Sequence, residues 1–279
     1  MTAVQTYRNS SKTRENVVRL VRLICSAPVI GFVLALLLWD AITRFEFLPS
    51  YLLPGPFEVA SAIESGWEVL ANSWWYTIKV TMGALVLACL GGVLIATVFS
   101  LVPYLERALT PLVVMLQVTP VVAIAPLIMV YAETTTIALL ICAWIVAFFP
   151  ILSNTLSGLR MVDRNLLDLF NFYGATRWQK LALLRGPSAL PYFLAGLRVS
   201  AGLSLIGAVT AEMVAGTGGW NSGLASRIIE ASFRMDIPRM YAALTLLVLS
   251  GVLIHLFCNG LSAVALRNHK AKQSSSASF

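Results

Sequence analysis

The sequence predicts an all-α integral membrane protein of about six transmembrane helices, and three observations predict it. First, 58% of its 279 residues are hydrophobic and only 12% are charged, where a soluble domain carries about 25% charged residues. A chain so poor in charge cannot cover a water-facing surface, so the bilayer must be its main solvent. Second, the chain divides into apolar runs near the length of about 20 helical residues that crosses about 30 Å of hydrocarbon. Third, lysine and arginine collect in alternate loops between those runs.

The elements follow in order. Residues 1–22 are a polar, basic tail, and the first run covers residues 23–39. No small-x-small cleavage site follows Trp39, where the chain continues Asp40, Ala41, Ile42, Thr43 and Arg44, so a retained first span is expected rather than a cleaved signal peptide. Residues 40–75 hold PSYLLPGP, a turn, and then an amphipathic helix expected at the outer interface, with Trp67, Trp74 and Trp75 as anchors. The second span is residues 76–101 and the third residues 109–131. The third contains Pro111, Pro120 and Pro126, each of which removes a backbone donor and kinks a helix; such a span lines a pathway or is purely architectural. The fourth span is residues 136–156, the fifth 189–215 and the sixth 240–266. Between the last two, GTGGWNSG reads as a flexible turn, and SRIIEASFRMDIP as a segment lying along the membrane or dipping back into the bundle. The transmembrane domain is thus residues 23–266, and residues 267–279, ending in QSSSASF, are expected to be a disordered tail.

The count of basic residues gives the orientation. Fourteen of the 20 Lys and Arg fall in the N-tail, the loop holding Arg107, the long loop of residues 157–188 and the C-tail, against four in the other loops. Both termini are therefore expected in the cytoplasm. Cys25, Cys89, Cys142 and Cys258 are scattered singly with no CxxC pair, which reads as packing rather than as disulfides or a metal site. No G-x-x-x-x-G-K-[ST] is present, and GTGGWNSG lacks the lysine, so the chain has no nucleotide-binding loop of its own.

The long loop is the most informative segment. Asp163 is a good N-cap, followed by Leu166, Leu167, Leu169 and Phe170 at helical spacing. Gly174 breaks that helix, Thr176 and Gln179 have the form of a capping box, and Trp178, Leu181, Ala182 and Leu184 continue an apolar face. Pro187 and Pro191 are expected to stop the second helix and aim the chain into the fifth span. Two helices meeting at a glycine corner form a knob that inserts into a partner's cleft, or a hairpin that lies on the inner leaflet. The pattern leaves both open.

This loop resembles the signature loop of bacterial ABC importer permeases, EAA-x3-G-x9-I-x-LP. Asp168-Leu169-Phe170 stands at EAA, Gly174 at the glycine, Leu184 at the isoleucine and Gly186-Pro187 at LP. Further segments are similar to the nitrate/sulfonate/taurine/bicarbonate subfamily: LPGP (residues 53–56), QVTPVVAIAPLIMVY (117–131), FFPILSNTLSGLR (148–160), GATRWQKL (174–181), LPYFLAGLR (190–198) and AEM (211–213). YAETTT at 131–136 departs from the glycine-rich turn common there. The resemblance runs from about residue 48 to 266.

The resemblance implies a type I ABC importer permease in the bacterial inner membrane, non-catalytic and paired with a second permease copy or a paralogue. It implies ATPase subunits on the cytoplasmic side, which bind ATP and Mg while this chain binds no cofactor. A soluble or lipid-anchored binding protein stands outside, and no nucleic acid is involved. The ATPase-coupling residues it implies are Asp168, Gly174, Ala175, Thr176, Arg177, Trp178, Leu184 and Pro187. The implied substrate is a small anion or sulfonate-like compound; the alternative is a vitamin-precursor pyrimidine or similar small organic. A secondary transporter is a more remote reading, which would favour inverted repeats and paired intramembrane carboxylates.

Polar residues within the spans are costly and are read one by one. Arg198 snorkels, braces the loop, or offers a positive site on an anion path. Glu212 belongs to an outer gate, an inter-helix hydrogen bond or a substrate contact. Gln117, Thr119, Pro120, Asn154 and Ser204 are either pathway liners or helix–helix contacts. Lys79 is expected to snorkel, and His255 to pack. The small residues Gly83, Ala84, Gly91, Gly92, Gly196, Gly202 and Gly207 suit close helix approach, between subunits or within one.

Overall fold

Every regular element among the described residues is a helix, as expected of a chain whose backbone must satisfy its own hydrogen bonds in lipid. The computed structural model describes residues 30–45, 49, 52–216 and 222–276, with side chains as far as Arg267. Residues 1–65 and 66–279 form two units.

In the first unit, helix α1 occupies residues 30–44; the start of the predicted first span, residues 23–29, lies outside the described residues. Arg44 pairs with Asp40 at 2.7 Å near its end, and Trp39 Nε1 donates to the Pro54 carbonyl at 3.1 Å. Helix α2 (Pro56–Ser65) opens on a proline, whose missing N–H costs nothing in the first turn. The Gly55 N–H donates to Glu58 Oε2 at 3.1 Å, one half of a capping box.

The second unit begins with α3 (Trp67–Leu101), and here the structure corrects the sequence reading. The interfacial helix expected to run through residue 75 stops at Ser65, and Trp67, Trp74 and Trp75 belong to the following span. At 35 residues, α3 is about 52 Å long. Its polar first turns persist as helix because their side chains find partners: Trp74 Nε1 donates to Ser250 Oγ at 2.6 Å, and Tyr76 shares a 2.9 Å hydrogen bond with Thr136.

The third predicted span is two helices, α4 (Pro103–Val118) and α5 (Val121–Tyr131), bent by 100°. Pro111 and Pro126 sit inside them without a break; the break falls at Pro120. A residue before proline is pushed out of the helical region. Thr119 and Pro120 are both extended, with ψ of 120° and 124°, so two consecutive non-helical residues turn the chain. The Thr119 hydroxyl bonds back to the Met115 carbonyl at 2.7 Å, satisfying part of the open helix end.

Helix α6 (Thr135–Arg160) is capped by Thr134, whose hydroxyl accepts from the Ile137 N–H at 3.3 Å. Then come α7 (Arg164–Phe172), α8 (Arg177–Lys180), a π-helical turn (Leu181–Arg185) and α9 (Gly186–Ala215). Pro187 and Pro191 do not stop the helix, contrary to expectation. The segment Arg177–Ala215 qualifies as one apolar span of 39 residues. The π turn gives the physical reason. Proline's ring crowds the carbonyl four residues back, and the wider turn, closed by the Gly186 N–H on the Leu181 carbonyl, relieves that crowding just ahead of Pro187.

Helix α10 (Leu224–Phe233) lies against the bundle, with Leu224, Ala225, Ser226 and Ala231 buried. The turn residues 217–221 before it lie outside the described residues. Helix α11 (Ile237–Ser276) carries the last span and remains helical beyond residue 267. In all, four described helices are long and apolar enough to cross a membrane, or five counting α4 with α5 as one.

Helix α6 is the centre of the second unit, packed between α3 and α9. Small residues make this possible. A Cβ on Gly196 would lie 2.7 Å from the Pro150 carbonyl oxygen, and one on Gly207 2.9 Å from the Ala143 Cα. These glycines, with Gly92 against Ile151, serve packing within the subunit. Ser200 reinforces the contact by donating to the Ala147 carbonyl at 2.6 Å.

Candidate functional site

Three places gather the residues singled out above. The first is the hairpin of α7 and α8. Asp163 Oδ1 accepts from the Asn165 N–H at 2.9 Å and starts α7. The helix ends on Gly174 at φ +66°, with the Ala175 N–H on the Phe170 carbonyl at 2.9 Å and the Gly174 N–H on the Asn171 carbonyl at 3.0 Å. That is a Schellman ending, which needs a left-handed residue. The capping box at Thr176 is complete: the Thr176 N–H donates to Gln179 Oε1 at 2.7 Å, and the Gln179 N–H to Thr176 Oγ1 at 3.3 Å. Lys180 Nζ donates to Asn171 Oδ1 across the corner. Asp168, Arg177, Trp178 and Pro187 are exposed, Ala175 is half-buried and Leu184 is buried. Trp178 leaves 69% of its surface open, and Phe172 and Tyr173 are exposed as well.

The second is a cavity of about 440 Å³ beside the α4–α5 break. Gln117, Thr119 and Pro120 line it from the break, Phe149 and Pro150 from α6, and Thr210 from α9. Among the described residues, no charged side chain lines it. The other four candidate path residues stand elsewhere. Asn154 donates to the Pro150 carbonyl at 2.8 Å, Ser204 bonds within its own helix to the Ala201 carbonyl at 3.0 Å, and Arg198 is half-buried on α9, its Nε buried and without a hydrogen-bond partner among the described residues.

Glu212, the fourth, is the centre of the third place. It is 4% exposed. Its carboxylate accepts from Ser226 Oγ at 2.9 Å and from the Ala225 N–H at 3.2 Å, so it meets the positive end of α10. Glu212 of α9 thereby makes an inter-helix hydrogen bond to α10. Thr77 Oγ1 of α3 accepts from the Leu224 N–H at 2.9 Å, and Arg227 Nε donates to Ser73 Oγ at 2.9 Å. Thr77 and Ser73 escaped sequence reasoning because their partners lie about 150 positions away. The one available signal was two hydroxyls spaced i, i+4 at the start of an apolar run.

The family model described as "Binding-protein-dependent transport system inner membrane component" matches residues 88–267, well over half the chain and spanning the hairpin, the break and α9. The chain belongs to that permease family.

As such it is a membrane subunit of an ATP-driven ABC importer and itself non-catalytic. The permease is similar, at 30% identity, to a riboflavin transport system permease protein of Chloroflexus aurantiacus, over 86% of this chain and 90% of that one. It is likewise 30% identical to a formylaminopyrimidine transport permease protein of Halalkalibacterium halodurans, over 81% and 89%. To a taurine transport system permease protein of Escherichia coli it is 27% identical, over 66% and 70%. Among solved structures, an inward-facing MetNI methionine ABC transporter shares the fold at a TM-score of 0.59 and 17% identity, covering 72% of this chain and 98% of that one. The family relation makes this permease an integral inner-membrane protein that works with ATPase and substrate-binding partners, and it leaves no place for the secondary-transporter reading.

Proposed function

We propose that an ATPase subunit seats on the α7–α8 hairpin and that its motion reaches the membrane through the continuous helical segment Arg177–Ala215. The observation that carries this reading is that continuity. The exposed Trp178 begins the same helical run that packs along α6 to Ala215, so a force applied at the hairpin has no flexible joint to dissipate it. Asp168, Gly174, Ala175, Thr176, Arg177 and Trp178 form the seat, and Leu184 and Pro187 join it to the shaft. ATP and Mg are held by the ATPase subunits, and this chain holds no cofactor. The hairpin and both termini are cytoplasmic, the arrangement the arginine and lysine bias favours. A binding protein delivers substrate on the opposite side, and a second permease completes the pathway.

The cavity at Gln117, Thr119 and Pro120 is the pathway wall within this reading. Asn154, Ser204 and Arg198 support the helix that moves it, and Glu212 holds the outer end. Tilting of α9 against the α4–α5 break opens and closes the cavity, a two-position element biased from one end.

The substrate is a small anion or sulfonate-like compound, a class in which the taurine permease of Escherichia coli stands. A second reading, a vitamin-precursor pyrimidine or similar small organic, is favoured by one observation: among the described residues, the cavity wall carries no cation to meet an anion. Copurifying the neighbouring binding protein and identifying its ligand separates the two.

The coupling assignment is tested with Gly174→Trp. Expected are normal membrane insertion and loss of ATPase copurification or of ATP-coupled uptake. Uptake coupled as fully as in the unmodified protein overturns the assignment.

A further inference from the structure

Between the hairpin and the end of α3 lies a concavity of about 480 Å³ whose lining shares only Asp168 and Arg177 with the seat proposed above. Among the described residues, four cations line it, Arg164 of α7, Arg177 and Lys180 of α8, and Arg185 of the π turn, against a single carboxylate, Asp168. Like charges gathered from three elements repel one another. Neither Arg164 nor Arg177 has a side-chain hydrogen bond or ion pair among the described residues. Arg185 directs one nitrogen at the end of α3, to the Ser100 carbonyl at 3.2 Å and Ser100 Oγ at 3.1 Å. That fixes its guanidinium at the floor of the concavity and leaves its other donors free. Lys180 uses one donor on Asn171 and keeps two. The lining therefore presents convergent donors and uncompensated positive charge, the recognition chemistry of a phosphate group.

The position identifies the source of that phosphate. Ser100 and Leu101 are the last residues of α3, where the apolar span ends. Beside them Val102 and Tyr104 are exposed, an apolar and aromatic flank of the kind found at headgroup depth. Basic pockets between helices at a cytoplasmic membrane face bind anionic headgroups. We propose that this concavity binds the phosphate of an anionic phospholipid headgroup, wedging a lipid between the hairpin and the membrane bundle. The placement at the inner leaflet rests on the cytoplasmic orientation proposed above. A bound lipid there would set the height of the hairpin over the membrane and so the efficiency of coupling.

The test uses the full-length permease in nanodiscs of phosphatidylcholine with added phosphatidylglycerol, with retained lipid counted by native mass spectrometry after release. The expected result is retention of phosphatidylglycerol over phosphatidylcholine, falling about fivefold for each cation removed in Arg164→Gln and in Arg164→Gln/Lys180→Gln. Arg164→Lys should keep most of the preference and an unchanged melting temperature, which separates a charge effect from misfolding. An undiminished preference in the double variant overturns the proposal. So does phosphate binding in pure phosphatidylcholine discs without any phosphatidylglycerol preference, because the ligand is then a free anion. Loss of ATPase copurification in these variants with no lipid preference in the unmodified permease also overturns it, assigning the cations to the ATPase. Side-specific labelling of Trp178→Cys reads the orientation separately, so failure of that reading is not mistaken for failure of lipid binding.

Discussion

At the scale of single residues, two glycines are held for different reasons. A Cβ added to Gly174 would meet nothing within 4 Å, but its φ is +66°, so its constraint is backbone conformation alone. A left-handed L-residue costs about 1–2 kcal/mol. Gly174→Ala should lower hairpin stability by about that amount, and Gly174→Asn by less, since asparagine tolerates this region; backbone amide exchange across residues 164–180 measures it. Gly223 is the reverse case. A Cβ there would overlap Thr77 Oγ1 and lie 2.5 and 2.6 Å from the Glu212 carboxylate oxygens. Gly223→Ala should lower stability in detergent by about 1–3 kcal/mol, read as a melting shift together with faster proteolysis at α10. Thr77→Val, which strands the Leu224 N–H, should cost about 1–3 kcal/mol by a different route. Glu212→Gln keeps acceptor capacity and should be milder than Glu212→Ala.

At the scale of elements, the sequence was informative where the deciding forces are local. Asp163, Gly174 and the Thr176–Gln179 box act within a few residues, and all form as their spacing predicts. Where long-range contacts decide, local reading failed. The polar start of α3 reads as an interfacial helix until Ser250, Thr136 and α10 supply its partners. Prolines read as breakers because their local cost is certain and the relief is not visible. Pro120 breaks the chain where two extended residues adjoin, whereas Pro187 is accommodated by a π turn. If the wide turn exists to relieve Pro187, then Pro187→Ala should let residues 181–186 relax towards regular α-helix. The expected outcome is retained ATPase assembly with fewer substrate molecules imported per ATP, because rotation of the helix below residue 181 re-aims the hairpin. Unchanged stoichiometry would separate the π turn from coupling.

At the scale of the whole molecule, the all-α membrane architecture follows from composition, since a chain with 12% charged residues has no soluble alternative. The candidate pathway was only partly legible. Gln117, Thr119 and Pro120 stand together because they are adjacent in sequence; Asn154 and Ser204 bond back to carbonyls of their own helices, and Glu212 turns to α10, a contact that no pattern could reveal. Arg198 has a buried Nε without a partner among the described residues, and a buried donor left unpaired is costly. Arg198→Ala should reduce uptake; assays of uptake and subunit assembly on the same membranes separate a pathway role from a bracing one, and no change in either would reduce it to a snorkelling side chain.

The division of α4 from α5 has one more effect. At 16 and 11 residues, the pieces reach about 24 and 16 Å, and neither alone spans the hydrocarbon. The amides and carbonyls freed at their junction must then be met by protein or by water, because lipid offers them nothing. In the proposed reading of this break as pathway wall, those main-chain groups, with Gln117 and Thr119, would give a solute shedding its hydration shell replacement hydrogen bonds without a fixed charge among the described residues to trap it.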